Sequence, residues 1–336
     1  MQPFVDSTDL VADGAALAAR MRRDGYLFLR GLVPADAIAN VQRQVGAIVR
    51  DAGWLRADRP VEQAIADPAG FCVDPEPRYL DTLRRINRIE DYHALKHHQA
   101  LIGLLERILG GATLAHPRVL MRNIFPDRAE FTTKSHQDYP NVQGTTEVYT
   151  AWMPLIDCPM EVGPLQVAAG THGGEVYDFD VAAGAGGIEI TEPFAGRWVS
   201  GGFRQGDVLL FHSLAVHKGV PNRSDKLRMS MDVRYQLLSE PFNLDNANPD
   251  GQPLSWDEVY AGWKSDDLKY YWQRLELNLL PFDRVWFDKR DALGFALGEQ
   301  GDTRAISVLQ RIVARDADPA KRARAQALLD RMPAAG

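Results

Sequence analysis

At 336 residues the chain is long enough to bury a sizeable core, and 45% hydrophobic with 25% charged residues is an ordinary globular composition. A net charge of -7 supplies no basic field for nucleic acid or an anionic membrane, and the longest apolar runs, such as Val208 to Phe211, fall far short of a bilayer span. The two cysteines, Cys72 and Cys158, lack metal-ligand spacing and read as reduced thiols. With no basic start or apolar core of an export signal, this predicts a cytoplasmic protein.

From residue 8 to 23, Leu10, Val11, Ala15, Leu17, Ala18 and Met21 recur at helical spacing, and Asp24-Gly25 ends that helix. Tyr26 to Leu29 is a short apolar strand, and a second amphipathic helix runs from Asp36 to about Asp51. Residues 52 to 78, with Pro60, Pro68, Pro75 and Pro77, read as irregular, and a helical pattern returns from about Tyr79 to Leu109. Within it, His93 and His97 are spaced for a metal but have no carboxylate partner in sight, so a solvated helix face is expected.

From Ala115 the period changes to two. Strands are expected at 118–125, 147–154, 163–168, 198–203, 207–211 and 227–237, separated by Gly, Pro, Asn and Asp turns. The glycines at 170, 173, 174, 184, 186 and 187 flank what reads as a mobile loop. After Pro241 the strand pattern fades into an aromatic segment, Trp256 to Trp272, read as packed core. Residues 289 to 332 read as a helical hairpin in which Asp318 and Pro319 cap and start the last helix, with Lys321, Arg322 and Arg324 on a solvated face. Few helices among the strands, beneath an N-terminal helical layer, predict an α+β fold around a β-sandwich or barrel.

The chemistry concentrates in His136-Gln137-Asp138. On a strand, His136 and Asp138 emerge on one face and reach one ion, and the third ligand is either His212 or His217, which spacing alone leaves open. Two imidazoles and a carboxylate on one face of an octahedral ion leave three positions free, the arrangement of non-haem iron(II) oxygenases. Arg228 follows His217 by 11 residues. It alternates with Met229, Met231, Val233 and Tyr235, so if those pack against helices it points inward as a bidentate carboxylate clamp. The alternation at 118–125 likewise turns Met121 and Asn123 inward, making Asn123 a candidate cosubstrate contact.

The chain resembles the phytanoyl-CoA dioxygenase-like family of iron(II)- and 2-oxoglutarate-dependent oxygenases. The likeness is carried by His136-Gln137-Asp138, Trp152, Gly163-Pro164-Leu165, Gly170-Thr171-His172, Gly206-Asp207, His212, His217, Asn222 and Arg228, and runs from about residue 15 to 240. It implies a double-stranded β-helix core at about 115–240 within an oxygenase domain of residues 1–240, with 241–336 a helical extension packed on it. It also implies His136, Asp138 and His217 as iron ligands, Arg228 as partner of the distal carboxylate of 2-oxoglutarate, and Trp152 lining that pocket. Two departures touch the cosubstrate pocket: Ile124-Phe125-Pro126-Asp127 replaces a phrase that is usually basic, and Gly219 stands where a hydroxyl residue is common.

The implied reaction is hydroxylation of an unactivated C–H bond of a small organic substrate, consuming O2 and releasing succinate and CO2. Asp138 occupies the place that related halogenases leave for halide. Alternatives are desaturation, ring closure or epimerisation on the same scaffold, or a non-catalytic metal-binding barrel. Specificity is expected from loops near 52–78, 139–146 and 172–197.

Overall fold

The computed structural model describes residues 1–184, 186–250 and 253–332; Ala185 of the glycine-rich stretch, Gly251-Gln252 and the last four residues of the extension lie outside them. Asp13 caps α1 (Gly14–Asp24) by accepting from the Ala16 N–H at 3.0 Å, and the helix buries Leu17 and Met21. It stops at Gly25, where φ is +78° and a Cβ would meet the His172 ring at 2.5 Å, so glycine is required twice over. Ile38, Val41, Val45 and Val49 line the buried face of α2 (Ala35–Asp51). With α3 (Pro77–Ile86), α4 (Glu90–Ala94) and α5 (Gln99–Leu109) it completes the N-terminal layer.

The strands of the core and of the hairpin beside it are β1 (Gln2–Pro3), β2 (Tyr26–Leu29), β3 (Thr113–Ile124), β4 (Tyr149–Pro154), β5 (Leu165–Ala168), β6 (Phe179–Val181), β7 (Ile188–Ile190), β8 (Trp198–Ser200), β9 (Val208–His212), β10 (His217–Gly219) and β11 (Arg228–Leu237). One sheet has the order β2-β9-β4-β11-β3, the other β1-β8-β5-β10. They face each other as a double-stranded β-helix core, sealed at one end by Phe4, Phe28, Trp152 and Phe203. The outer face of the larger sheet carries Leu27, Ala151, Leu210, Met229, Met231, Val233 and Tyr235, all packed in the same core as the helical layer. Pro117 lies in edge strand β3 where the register with β11 slips, the one kind of strand position that tolerates a missing N–H.

Several expectations change. The supposed loop between 172 and 197 contains the β6-β7 hairpin, too short for a period to register in sequence, with Phe179, Val181, Ile188 and Ile190 buried. His93 and His97 are not on a solvated face. His93 is buried, donates from Nε2 to the Asn87 carbonyl (2.9 Å) and packs against Trp256 and Trp263, while His97 meets Tyr271. The aromatic segment that covers them is a packed cluster, as read, though only α7 (Trp256–Tyr260) and one 3-10 turn within it are helical.

Beyond it, α8 (Val285–Glu299), α9 (Ile306–Arg315) and α10 (Pro319–Leu329) form the C-terminal helices, the last capped by Asp318 with Pro319 in its first turn. They lie on the β6-β7 hairpin: Val181 joins Phe295, Val308 and Leu309 in one apolar cluster, and Lys289 and Arg304 pair with Asp178 and Asp180. Of the three basic residues expected on a solvated face, Arg324 is exposed and pairs with Glu299, whereas Lys321 is bonded to Asp291 (2.5 Å) and Asp316 (2.9 Å) between the helices. Cys72 and Cys158 are buried free thiols. Among the described residues no helix is long and apolar enough to cross a membrane.

Candidate metal centre

His136 and His217 face each other across an isolated antiparallel bridge. Each N–H donates to the other's carbonyl at 3.0 Å, and residues paired in this way project side by side, which brings their rings to a centroid separation of 4.2 Å. The expectation of a regular strand through Asp138 is corrected here. After His136 the backbone turns, Asp138 takes α-helical angles (φ -73°, ψ -30°) and opens the single turn α6 (Tyr139–Val142), yet its carboxylate comes to the same side. Gln137 holds that turn from behind, donating to the Leu214 carbonyl at 2.8 Å and accepting from the Tyr177 N–H at 2.8 Å.

Ligand atoms of His136, Asp138 and His217 lie within 4.8 Å of one another, a two-histidine, one-carboxylate facial triad. Nδ1 of each imidazole lies against a backbone carbonyl, Lys134 at 2.8 Å and Ala215 at 3.0 Å. A carbonyl only accepts, so Nδ1 carries the proton and Nε2 keeps the lone pair that a metal needs. Burial, with His217 beside it, pushes the His136 pKa down to about 3, so its ring is neutral. Burial opposes ionisation of Asp138, but Arg234, the two imidazoles and the Thr150 hydroxyl outweigh it and hold the carboxyl well below its usual range. Arg234 donates to Oδ1 at 3.1 Å and Thr150 to Oδ2 at 2.7 Å.

His212, the other candidate, ends β9 on the opposite face of the sheet, 3.3 Å from Glu147 and against Tyr149. His172 bonds the Arg22 carbonyl at 3.1 Å. Both support the frame and neither approaches the triad group.

Arg228 is buried on the inner face of β11, where it donates to the Gly163 carbonyl at 2.9 Å. Gly163 explains its own presence: φ is +85° and a Cβ would stand 2.4 Å from the Val220 carbonyl. The Trp152 ring lies on the same face, its centroid 5.9 Å from the Arg228 guanidinium carbon. Among the described residues Arg228 Nε, Trp152 Nε1 and Ser230 Oγ find no hydrogen-bond partner. A buried, unneutralised guanidinium with an unused hydroxyl two residues on is chemistry that fits a carboxylate such as the distal one of 2-oxoglutarate.

Asn123 is corrected. The register pairs it with Met229, so it shares the helix-side face, and its backbone N–H meets the Tyr79 hydroxyl at 3.4 Å. The residues of β3 that point inward are Leu120, Arg122 and Ile124, because the strand runs one step out of phase with the sequence expectation. Thr150, Ser230 and Arg234 were not singled out from sequence, although they alternate with Trp152 and Arg228 along β4 and β11, and that periodicity is the signal that finds them.

His136, Asp138 and Arg234 open onto a cavity of about 470 Å³ whose far wall is Phe287, Arg290, Arg311 and Arg315 of the C-terminal helices. These residues lie outside any sequence motif.

The family model for phytanoyl-CoA dioxygenase (PhyH) matches residues 21–230. Two curated relatives are 1-deoxypentalenic acid 11-beta-hydroxylases. That of Streptomyces exfoliatus is 26% identical over 279 residues, covering 74% of this chain and 90% of its own; that of Streptomyces arenae is 26% identical over 270 residues, covering 73% and 89%. Among solved structures, the epimerase SnoN in complex with Fe3+, alpha ketoglutarate and nogalamycin RO is 23% identical, with a TM-score of 0.47 over 69% of this chain and 86% of that one.

Proposed function

The chain belongs to the phytanoyl-CoA dioxygenase family, and from that premise we propose that it is an iron(II)- and 2-oxoglutarate-dependent dioxygenase hydroxylating an unactivated C–H bond of a small organic substrate. The observation that carries the reading is the facial triad lying on the same inner side as a buried arginine that lacks an anion. Two relatives named as hydroxylases and spanned for about nine-tenths of their length support the choice of reaction.

In this proposal His136 and His217 through Nε2, with Asp138, hold iron(II), and Arg228 pairs with the distal carboxylate of 2-oxoglutarate beside Ser230 and Trp152. Iron and 2-oxoglutarate, when bound, supply the oxidising chemistry, with O2 consumed and succinate and CO2 released. The chain's own residues bind, orient and exclude water. Arg234 and Thr150 fix which carboxylate oxygen of Asp138 is turned to the ion, and the Lys134 and Ala215 carbonyls fix the imidazole tautomers. Phe211, 4.4 Å from the His217 ring between centroids, keeps that side of the site dry. The same proposal takes residues 1–240 as the oxygenase domain and those from 241 onward as an extension packed on it.

An anaerobic titration of the apoprotein with iron(II) and then 2-oxoglutarate tests the assignment through the visible charge-transfer band of the chelate. A band saturating near one equivalent, followed by succinate release in air, is expected. Bound iron without the band would favour a metal-binding barrel instead, and product analysis separates hydroxylation from desaturation, ring closure or epimerisation.

A further inference from the structure

We propose that the substrate carries an anionic group, of carboxylate or phosphate type, received by Arg122 from β3 together with Arg290, Arg311 and Arg315 from the C-terminal helices. This deepens the oxygenase reading and rests on it for the placing of the reacting carbon.

The cavity above the triad is walled by two kinds of residue. Leu83, Leu120, Ile188, Phe287 and Ile312 offer apolar surface for a hydrocarbon body, within the volume range of small-molecule sites. Between them seven arginines line the space against five aspartates, of which Asp138 is engaged by Arg234 and Asp316 by Lys321. Asp74 alone is shared by Arg311 (2.5 Å) and Arg315 (2.6 Å). Asp291, the partner of Arg290 at 2.7 Å, is claimed as well by Lys321 at 2.5 Å. Among the described residues Arg122 makes no hydrogen bond; Asp232 pairs with it at 3.6 Å, and Asp250 and the already shared Asp74 act on it from farther off. Arg311 is only 5% exposed, yet its Nε finds no partner among the described residues.

Guanidinium groups removed from water need anions close by, and two cations on one carboxylate leave positive charge unspent. Asp245 and Asp250 also line the space, and Asp245 is already engaged by Arg118 at 3.2 Å. A substrate anion among Arg122, Arg290 and the Arg311–Arg315 pair would complete the set and hold its apolar body toward His136 and Asp138. The C-terminal helices thereby become part of the binding site, although the family match ends at residue 230.

Octanoate, octyl phosphate, octanol and octylamine are the probes. Each is titrated calorimetrically, without oxygen, into protein loaded with iron(II) and 2-oxoglutarate whose charge-transfer band has been recorded. Octanoate or octyl phosphate should bind about tenfold or more tighter than octanol, as expected for charge-assisted hydrogen bonds, and whichever is tighter identifies the anion. Arg122→Gln and Arg290→Gln should each erase most of that advantage while the band stays intact.

Equal binding of octanol, tighter binding of octylamine, or an anion preference that survives both substitutions would overturn the inference. So would loss of the band on adding octanoate, because the anion would then be displacing 2-oxoglutarate. Absence of the band before any probe is added would break the oxygenase reading instead, and the two failures are therefore distinguishable.

Discussion

On one side of β11, Met229, Met231, Val233 and Tyr235 are sealed beneath the helical layer; on the other, Arg228, Ser230, Asp232 and Arg234 face the second sheet. Depth hardly separates the two rows, since three of the four inner residues are buried as well, none of them more than 6% exposed. What separates them is unused bonding capacity. Among the described residues Arg228 Nε, Ser230 Oγ, Asp232 Oδ1 and Arg234 Nε are buried polar atoms without partners, whereas the outer row has only the Tyr235 hydroxyl to satisfy and gives it the Lys96 carbonyl at 2.8 Å. Unmet polar atoms in a folded interior are costly, so their concentration on one row marks it as built for ligands, and the other row as built for stability.

The largest expected effect lies at the end of the inner row. Asp138→Ala removes the carboxylate that Arg234 and Thr150 orient, and iron-dependent succinate formation should vanish although circular dichroism still reports a folded protein. Ordinary succinate yield would remove Asp138 from the site.

On the outer row, Met231→Ala should lower unfolding free energy by about 2–5 kcal/mol, as for other buried large-to-small changes, with the charge-transfer band of the folded protein unchanged. A shifted band at full stability would mean that the two faces are not separable. Arg228→Gln should do the reverse, weakening 2-oxoglutarate binding by about 10- to 100-fold with iron affinity intact. Equal cosubstrate affinity in the two proteins would dismiss the clamp.

Thr150→Val removes only the 2.7 Å bond to Asp138 Oδ2, and iron affinity should fall by about tenfold, the low end for residues that orient metal ligands. Unaltered affinity would show that Arg234 suffices.

The smallest effect per residue is a pH slope. Burial lowers the pKa of His93 and takes His116 and His136 down to about 3. Folded values below unfolded ones mean that the unfolded chain takes up protons first, so stability present above pH 6.5 is lost as pH falls toward 3. Between 6.5 and about 4.5, above the range of most carboxylates, each such histidine should cost the apoprotein about 1.4 kcal/mol per pH unit, and His116→Leu should flatten the slope. Denaturant titrations that show no slope there would mean the rings are hydrated.

Much of the barrel is legible in the sequence, because a strand between two environments writes a period of two into its residues. The alternation of β11 and the apolar stretches of β2 and β9 placed strands within a few residues of their ends. The β6-β7 hairpin was not legible, since three-residue strands carry too little pattern, and Asn123 was assigned to the wrong face because alternation gives two faces without saying which is which. Residue types and order alone identified His136, Asp138 and one of two later histidines as metal-binding chemistry, and family likeness chose His217.

By itself, then, the sequence determined the helical layer, the strand-rich core and the chemical kinds available to the site, since these depend on local periodicity and residue type. The tertiary structure supplies the physical reason for His217, which a cross-strand bridge between distant segments sets against His136 while His212 falls on the opposite face of its sheet. It alone also brought Arg122 from β3 and Arg290, Arg311 and Arg315 from the C-terminal helices around one cavity. Such convergence depends on register and packing between segments more than 150 residues apart along the chain, as for Arg122 and Arg290, and no local pattern records it.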